Sequence, residues 1–112
     1  MHQGRAGRAD ALGHARTVRL VWRSSALADI LAATRWLIEI NPYAAAKLRA
    51  SILRSGNALA VFPNRGRAIG ALGARVLQVR GTPHMIVYTI DEAAQTVTIR
   101  RVLDGRRLLR PL

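Results

Sequence analysis

Apolar and polar positions change their spacing repeatedly along this chain, and each change marks an element. From Thr17 to Trp22 they alternate, with Val18, Leu20 and Trp22 on one face, which predicts a first strand. Arg23-Ser24-Ser25 breaks it, and either serine supplies the hydroxyl expected at a helix N-cap. The spacing then becomes three and four: Leu27, Ile30, Leu31, Thr34, Leu37 and Ile38 form one stripe of an amphipathic helix ending near Asn41. Asn41-Pro42 both stops that helix and opens a second, because proline excludes the α region for the residue before it and fits the first helical position. Ala45, Leu48, Ile52 and then Ser55 or Leu59 form the second inner stripe. The two helices therefore make an αα-hairpin with a very short turn. Gly56 weakens the second helix by about 1 kcal/mol relative to alanine.

Val61-Phe62-Pro63 ends the helical region, and Asn64 to Arg67 read as a turn. The small, glycine-punctuated stretch from Ala68 to Gly73 reads as a loop. Alternation returns at Ala74. Leu77 and Val79 share a face; so do Ile86, Tyr88 and Ile90, with Val87 opposite; so do Val97, Ile99 and Leu103, with Arg101 between them. Gly81-Thr82-Pro83 separates the first two runs, and Asp91 to Gln95 the last two, so three strands form an antiparallel meander. The expected fold is α+β: an N-terminal strand, an αα-hairpin, then a three-strand meander making one small sheet covered by the helices. Residues 17–108 form one domain. Residues 1–16, with three glycines, two histidines and little periodicity, are expected to be a mobile extension, and 109–112 a short tail.

Composition adds charge. The 112 residues include 18 lysines and arginines against 6 acidic residues, a net charge of +12, beyond the magnitude of about 2–8 usual for a small soluble domain. Only Lys47 is a lysine; the other cations are arginines. Such a chain either has an anionic partner (nucleic acid, an acidic protein or an anionic membrane surface) or tolerates its own repulsion as a solvated basic surface. With no cysteine there is no disulfide or thiol chemistry, which fits a reducing compartment. No apolar run is long enough for a transmembrane helix, and the first residues lack the apolar core of a secretory signal. The cytoplasm is the expected location.

Catalytic groups are scarce. His2, His14 and His84 are scattered, with no metal-ligand spacing, so neither a metal nor a cofactor is expected. His84 is expected to be a half-buried ring. Asp91 and Glu92 fall in a hairpin turn, Asp10 in the extension, and Asp29 and Glu39 on exposed helix surface, leaving no acid/base pair. Arginines gather around the meander and its exits: Arg65, Arg67, Arg75, Arg80, Arg100, Arg101, Arg106 and Arg107. They suit phosphate or carboxylate, but guanidinium stays protonated and is a poor general base.

The order of elements, with four local motifs, resembles the RelE/ParE superfamily of type II toxin–antitoxin toxins, and the ParE branch most closely. The motifs are Val21-Trp22-Arg23-Ser24-Ser25-Ala26 with Leu27-Ala28-Asp29-Ile30; Asn41-Pro42-Tyr43-Ala44-Ala45; Phe62-Pro63-Asn64-Arg65-Gly66-Arg67; and Gly73 to Val79 followed by Gly81 to Tyr88. Together they cover Val18 to about Leu108. Where RelE-like ribonucleases carry lysines and an arginine on the sheet, this chain has Val76, Gln78 and Met85. A histidine often found after the last strand of ParE-like chains is replaced by Asp104. The ParE resemblance implies a toxin that inhibits DNA gyrase, without RNA cleavage. It also implies neutralisation by a ribbon–helix–helix antitoxin with an acidic C-terminal segment. Contact candidates for target or antitoxin are Trp36, Tyr43, Arg49, Arg65, Arg67, Arg75, Arg106 and Arg107. The alternatives are a RelE-like messenger endoribonuclease, which would use Arg75, Arg80, His84 and Arg106, and a non-toxic basic binding module.

Overall fold

The first strand pairs with a strand near the far end of the described chain. In the computed structural model, which describes residues 18–108, β1 (Arg19–Trp22) lies parallel to β5 (Thr96–Asp104), with Arg19 opposite Thr96 and Trp22 opposite Ile99. Between them come α1 (Ser24–Ile40), α2 (Pro42–Asn57), a 3₁₀ turn at Ala58–Ala60, β2 (Arg67–Ala68), β3 (Ala74–Gln78) and β4 (His84–Asp91). A short α3 (Gly105–Leu108) follows β5. The α+β class holds, and among the described residues the sheet has five strands in the order β1-β5-β4-β3-β2: the N-terminal strand, the three of the meander and one more edge strand, β2. The expected meander is its centre. Two residues of the expected loop region, Arg67 and Ala68, pair with Val76 and Arg75 as an edge strand. An edge this short exposes few backbone groups to a stray chain. Thr17, the N-terminal extension and the C-terminal tail lie outside the described residues.

The core sits on one face of the sheet, where Ile86, Tyr88, Val97, Ile99 and Val102 meet Ala26 and Ile30 of α1 and Ile52 of α2. The expected stripe of α1 is rotated. Ala26, Ile30 and Thr34 face inward, while Leu27, Leu31 and Ile38 are about half exposed. A small residue at position 26 lets the helix approach β5 closely, and polar anchors then fix its rotation. The Asp29 carboxylate accepts the backbone N–H of Val102 at 2.8 Å, beyond the point where β1 stops pairing with β5. It also takes a forked pair of hydrogen bonds from Arg101, at 2.7 and 2.9 Å. Asp29 is therefore not a free surface group, contrary to expectation; it continues the sheet edge with a side chain. Neither serine caps α1. Arg23 occupies the cap position without a side-chain bond, and Ser25 instead donates to the Arg100 carbonyl at 2.8 Å.

The hairpin turn follows its sequence. The Asn41 side chain accepts from the Ala44 N–H at 3.0 Å, and Pro42 opens α2. Gly56, read as a weak point in α2, lies against the Trp22 ring, which a Cβ would overlap. The indole N–H of Trp22 donates to Asn57 at 2.9 Å, so the tryptophan is clamped across the helix end. A bulge in β5 corrects one more expectation. Val87 pairs with Arg101 and Tyr88 with Ile99, so Arg100 has no partner on β4. The extra residue reverses the alternation, turning Val102 into the core in place of Leu103. Among the described residues no helix is long and apolar enough to cross a membrane.

Candidate functional site

Three surfaces meet around the β4 end of the sheet. The first is the sheet face turned away from α1 and α2. Pairing puts Arg67, Val76, Val87 and Arg101 in one row across it, and Gln78, Met85 and Leu103 in the next. Its floor is apolar and half-buried, with Val76 deepest, and its cations stand at the two ends of the row.

The loop carrying Arg65 and Arg67 is held from behind. The Tyr88 hydroxyl accepts from the Gly66 N–H at 2.8 Å and donates to the Pro63 carbonyl at 2.7 Å. A Cβ on Gly66 would lie 2.7 Å from that hydroxyl and from the Val76 carbonyl, so only glycine fits. Arg75 donates to the carbonyls of Asn64 and Gly66. Its guanidinium is thus spent on loop geometry. Burial pushes the Tyr88 hydroxyl above its ordinary pKa, so it stays protonated and keeps both bonds.

The second surface is a groove of about 500 Å³ between the turn half of the helical hairpin and the sheet. Trp36, Leu37 and Leu48 line one side, and His84, Asp104 and Arg106 the other. Trp36 is exposed, as are Tyr43 and Arg49 on the hairpin outside it. His84 is buried rather than half-buried, and its Nδ1 has no hydrogen-bond partner among the described residues. Burial lowers its pKa, against the pull of Asp104, so the ring is neutral at pH 7. The Arg106 guanidinium bonds the Asp104 carboxylate at 2.9 and 3.2 Å and holds its pKa down at about 2. Asp104 also accepts the Arg106 backbone N–H at 2.9 Å, fixing the exit from β5.

The third surface is a cleft of about 490 Å³ between α2 and β3, containing Arg54, Arg65 and Arg80. The expected ribonuclease set is divided among these surfaces. Arg75 is tied to the loop, Arg80 opens into the third cleft, and His84 and Arg106 line the second groove. Arg67 stands on the open face, and Arg107 lines the groove with Arg106. Sequence reasoning missed Asp29, Asp104 and Arg54 as site-forming residues. The first two gain their roles from partners far away or beyond a strand end. Arg54 is one residue from Ser55, already placed near the inner stripe, and that adjacency was the available signal.

A sequence model of the ParE toxin of the parDE type II toxin–antitoxin system matches residues 20–109. No curated protein sequence matches the chain. Among solved structures, a chain of the chromosomal ParDE toxin–antitoxin system from P. aeruginosa is similar, with a TM-score of 0.66 at 22% identity; the match covers 77% of this chain and 94% of that one. A chain of the RelBE2 toxin–antitoxin complex from Mycobacterium tuberculosis is similar in fold, with a TM-score of 0.56 at 21% identity, covering 77% of this chain and 95% of that one. Five strands, a helical hairpin on one face and a sequence match across nearly all the described residues agree: the chain belongs to the ParE toxin family of type II toxin–antitoxin systems.

Proposed function

We propose that this ParE-type toxin acts in the cytoplasm by inhibiting DNA gyrase, without cleaving RNA. The supporting observation is the chemistry of the open sheet face. Val76, Gln78 and Met85 occupy the positions where a sheet-borne ribonuclease site would need cations. Of the remaining cationic candidates, Arg75 is held by carbonyls and Arg106 by Asp104, while Arg80 opens into the separate cleft beside α2. His84 is neutral and buried, with no described carboxylate bonded to it, which does not suit a proton relay around a phosphate. The test is tightly controlled expression in cells. Double-strand breaks with induction of the SOS response are expected, and codon-phased messenger cuts on translating ribosomes would overturn the reading in favour of the endoribonuclease.

The same reading assigns a ribbon–helix–helix antitoxin whose acidic C-terminal segment lies across the hairpin groove. An apolar wall with Trp36 and Leu48, facing Arg106 and Arg107, suits an amphipathic segment that orders on binding. Trp36→Ala with Arg107→Glu is expected to abolish co-purification with the protein encoded beside it. Retention of that partner at full yield would move the contact elsewhere. Growth that is unaffected by induction would favour the non-toxic binding module.

A further inference from the structure

The cleft between α2 and β3 is built differently from the hairpin groove. Ser51 lies three and four residues before Arg54 and Ser55, and Ala58 four and three after them, so they present one stripe of α2 and its exit to the cleft. Arg65 comes from the loop before β2, and Arg80 from the turn between β3 and β4. No described carboxylate lines it, and none of its three arginines forms an ion pair with another described residue. Convergent, uncompensated cations raise the local potential and concentrate anions.

Each arginine also sits on a stiff support. The Gln78 amide donates to the carbonyls of Thr82 and His84 at 2.8 and 3.1 Å, fastening the turn that carries Arg80. The Thr82 hydroxyl donates to the Val79 carbonyl at 3.0 Å and accepts the His84 N–H at the same distance. Gly81, at a φ of 78°, takes the left-handed conformation that the turn requires. Arg65 stands over the Phe62 ring, 5.8 Å from its centroid. Arg54 is on a helix.

We infer that this cleft binds the phosphodiester backbone of duplex DNA. Guanidinium forks match phosphate oxygens, and the serine hydroxyls add neutral donors, a set that holds a backbone without reading bases. An acidic peptide needs an apolar anchor as well as charge, and here the apolar lining is limited to Leu77 and Ala58. A single strand needs an aromatic platform for its bases; no aromatic residue lines the cleft, and one face of nearby Phe62 is taken by Arg65.

The experiment titrates the full chain against a labelled random-sequence duplex over a range of salt concentrations. Arg54→Gln with Arg80→Gln is expected to weaken binding at least about tenfold at low salt and to reduce the log–log salt slope by about 1.8, two phosphate contacts at about 0.9 each. Arg35→Gln with Lys47→Gln removes the same charge from exposed helix surface and is expected to leave the slope unchanged. Equal losses from both pairs would overturn the site, leaving only net charge. So would tighter binding to a single strand, or displacement by polyglutamate as efficient as by duplex at matched charge. Arg80→Gln alone, on the turn rather than the helix, carries the test if the double variant melts early; it is expected to reduce the slope by about 0.9, and an unchanged slope would also overturn the site.

Discussion

The two faces of the sheet are made from alternate residues of the same strands, yet they carry different obligations. On the covered face, Ile86, Tyr88, Val97 and Ile99 are fully buried and meet the helices. On the open face, Met85, Val87, Thr89 and Leu103 are only half-buried. Buried apolar contact, and with it stability, is therefore concentrated on one side. Neighbouring residues such as Ile86 and Val87 have opposite roles because strand side chains alternate. The bulge at Arg100 is where the division is enforced on β5.

The sharpest test uses those two neighbours. Ile86→Ala is expected to cost about 2–5 kcal/mol, as a buried cavity does, whereas Val87→Ala is expected to cost under about 1 kcal/mol. Urea denaturation of both variants checks it, and similar losses would erase the distinction between the faces. Next comes the loop fastened through the core. Gly66→Ala is expected to destabilise by about 3 kcal/mol, from overpacking and a disturbed buried hydrogen bond, lowering the melting temperature by more than about 10 °C. Asp29→Ala leaves the buried Val102 N–H without its acceptor, at about 1–3 kcal/mol. Asp29→Asn, which still offers an oxygen, is expected to recover part of that.

Gly56→Ala is expected to lower stability by about 1 kcal/mol even though it favours the helix, because overlap with Trp22 outweighs a gain of about 1 kcal/mol in propensity. A rise in melting temperature would show that the indole moves aside easily.

The smallest effect is in pH. The folded pKa of His84 lies below its unfolded value, so unfolding takes up a proton and stability falls as pH drops below about 6.5. Asp29 and Asp104 have depressed pKa values. Their contribution is present above about pH 4 and, for Asp104, is lost as pH falls through about 2. His84→Gln is expected to remove the upper step and leave the lower one, read from denaturation midpoints across pH.

Much of this division was legible in the sequence. The hairpin turn at Asn41-Pro42 and the meander follow from local rules, since cap chemistry and alternation act within a few residues; that Val76, Gln78 and Met85 stand in place of cations is read only from the family resemblance. What was not legible depended on distant chain. Leu27 and Leu31 fit a stripe with Ile30 as well as Ala26 does; the bonds from Asp29 and Ser25 to β5 fix the rotation that buries Ala26. The bulge has no signature in Ile99-Arg100-Arg101-Val102 itself, and Leu103 was consequently assigned to the core. Nor does Gly56 announce a packing role until Trp22 lies beside it. The cleft of Arg54, Arg65 and Arg80 gathers three separate segments, so spacing along the chain says nothing about their meeting.

The parallel pairing of β1 with β5 also has a consequence for synthesis. Arg19 emerges from the ribosome long before Thr96 exists, so the first strand has no partner until the last one is translated. Such long-range closure is the slow part of folding. The hairpin can form early from local contacts, but the finished sheet, and every surface that depends on its register, comes last. No surface built on β5 can therefore be complete in the nascent chain before Thr96–Asp104 has been translated.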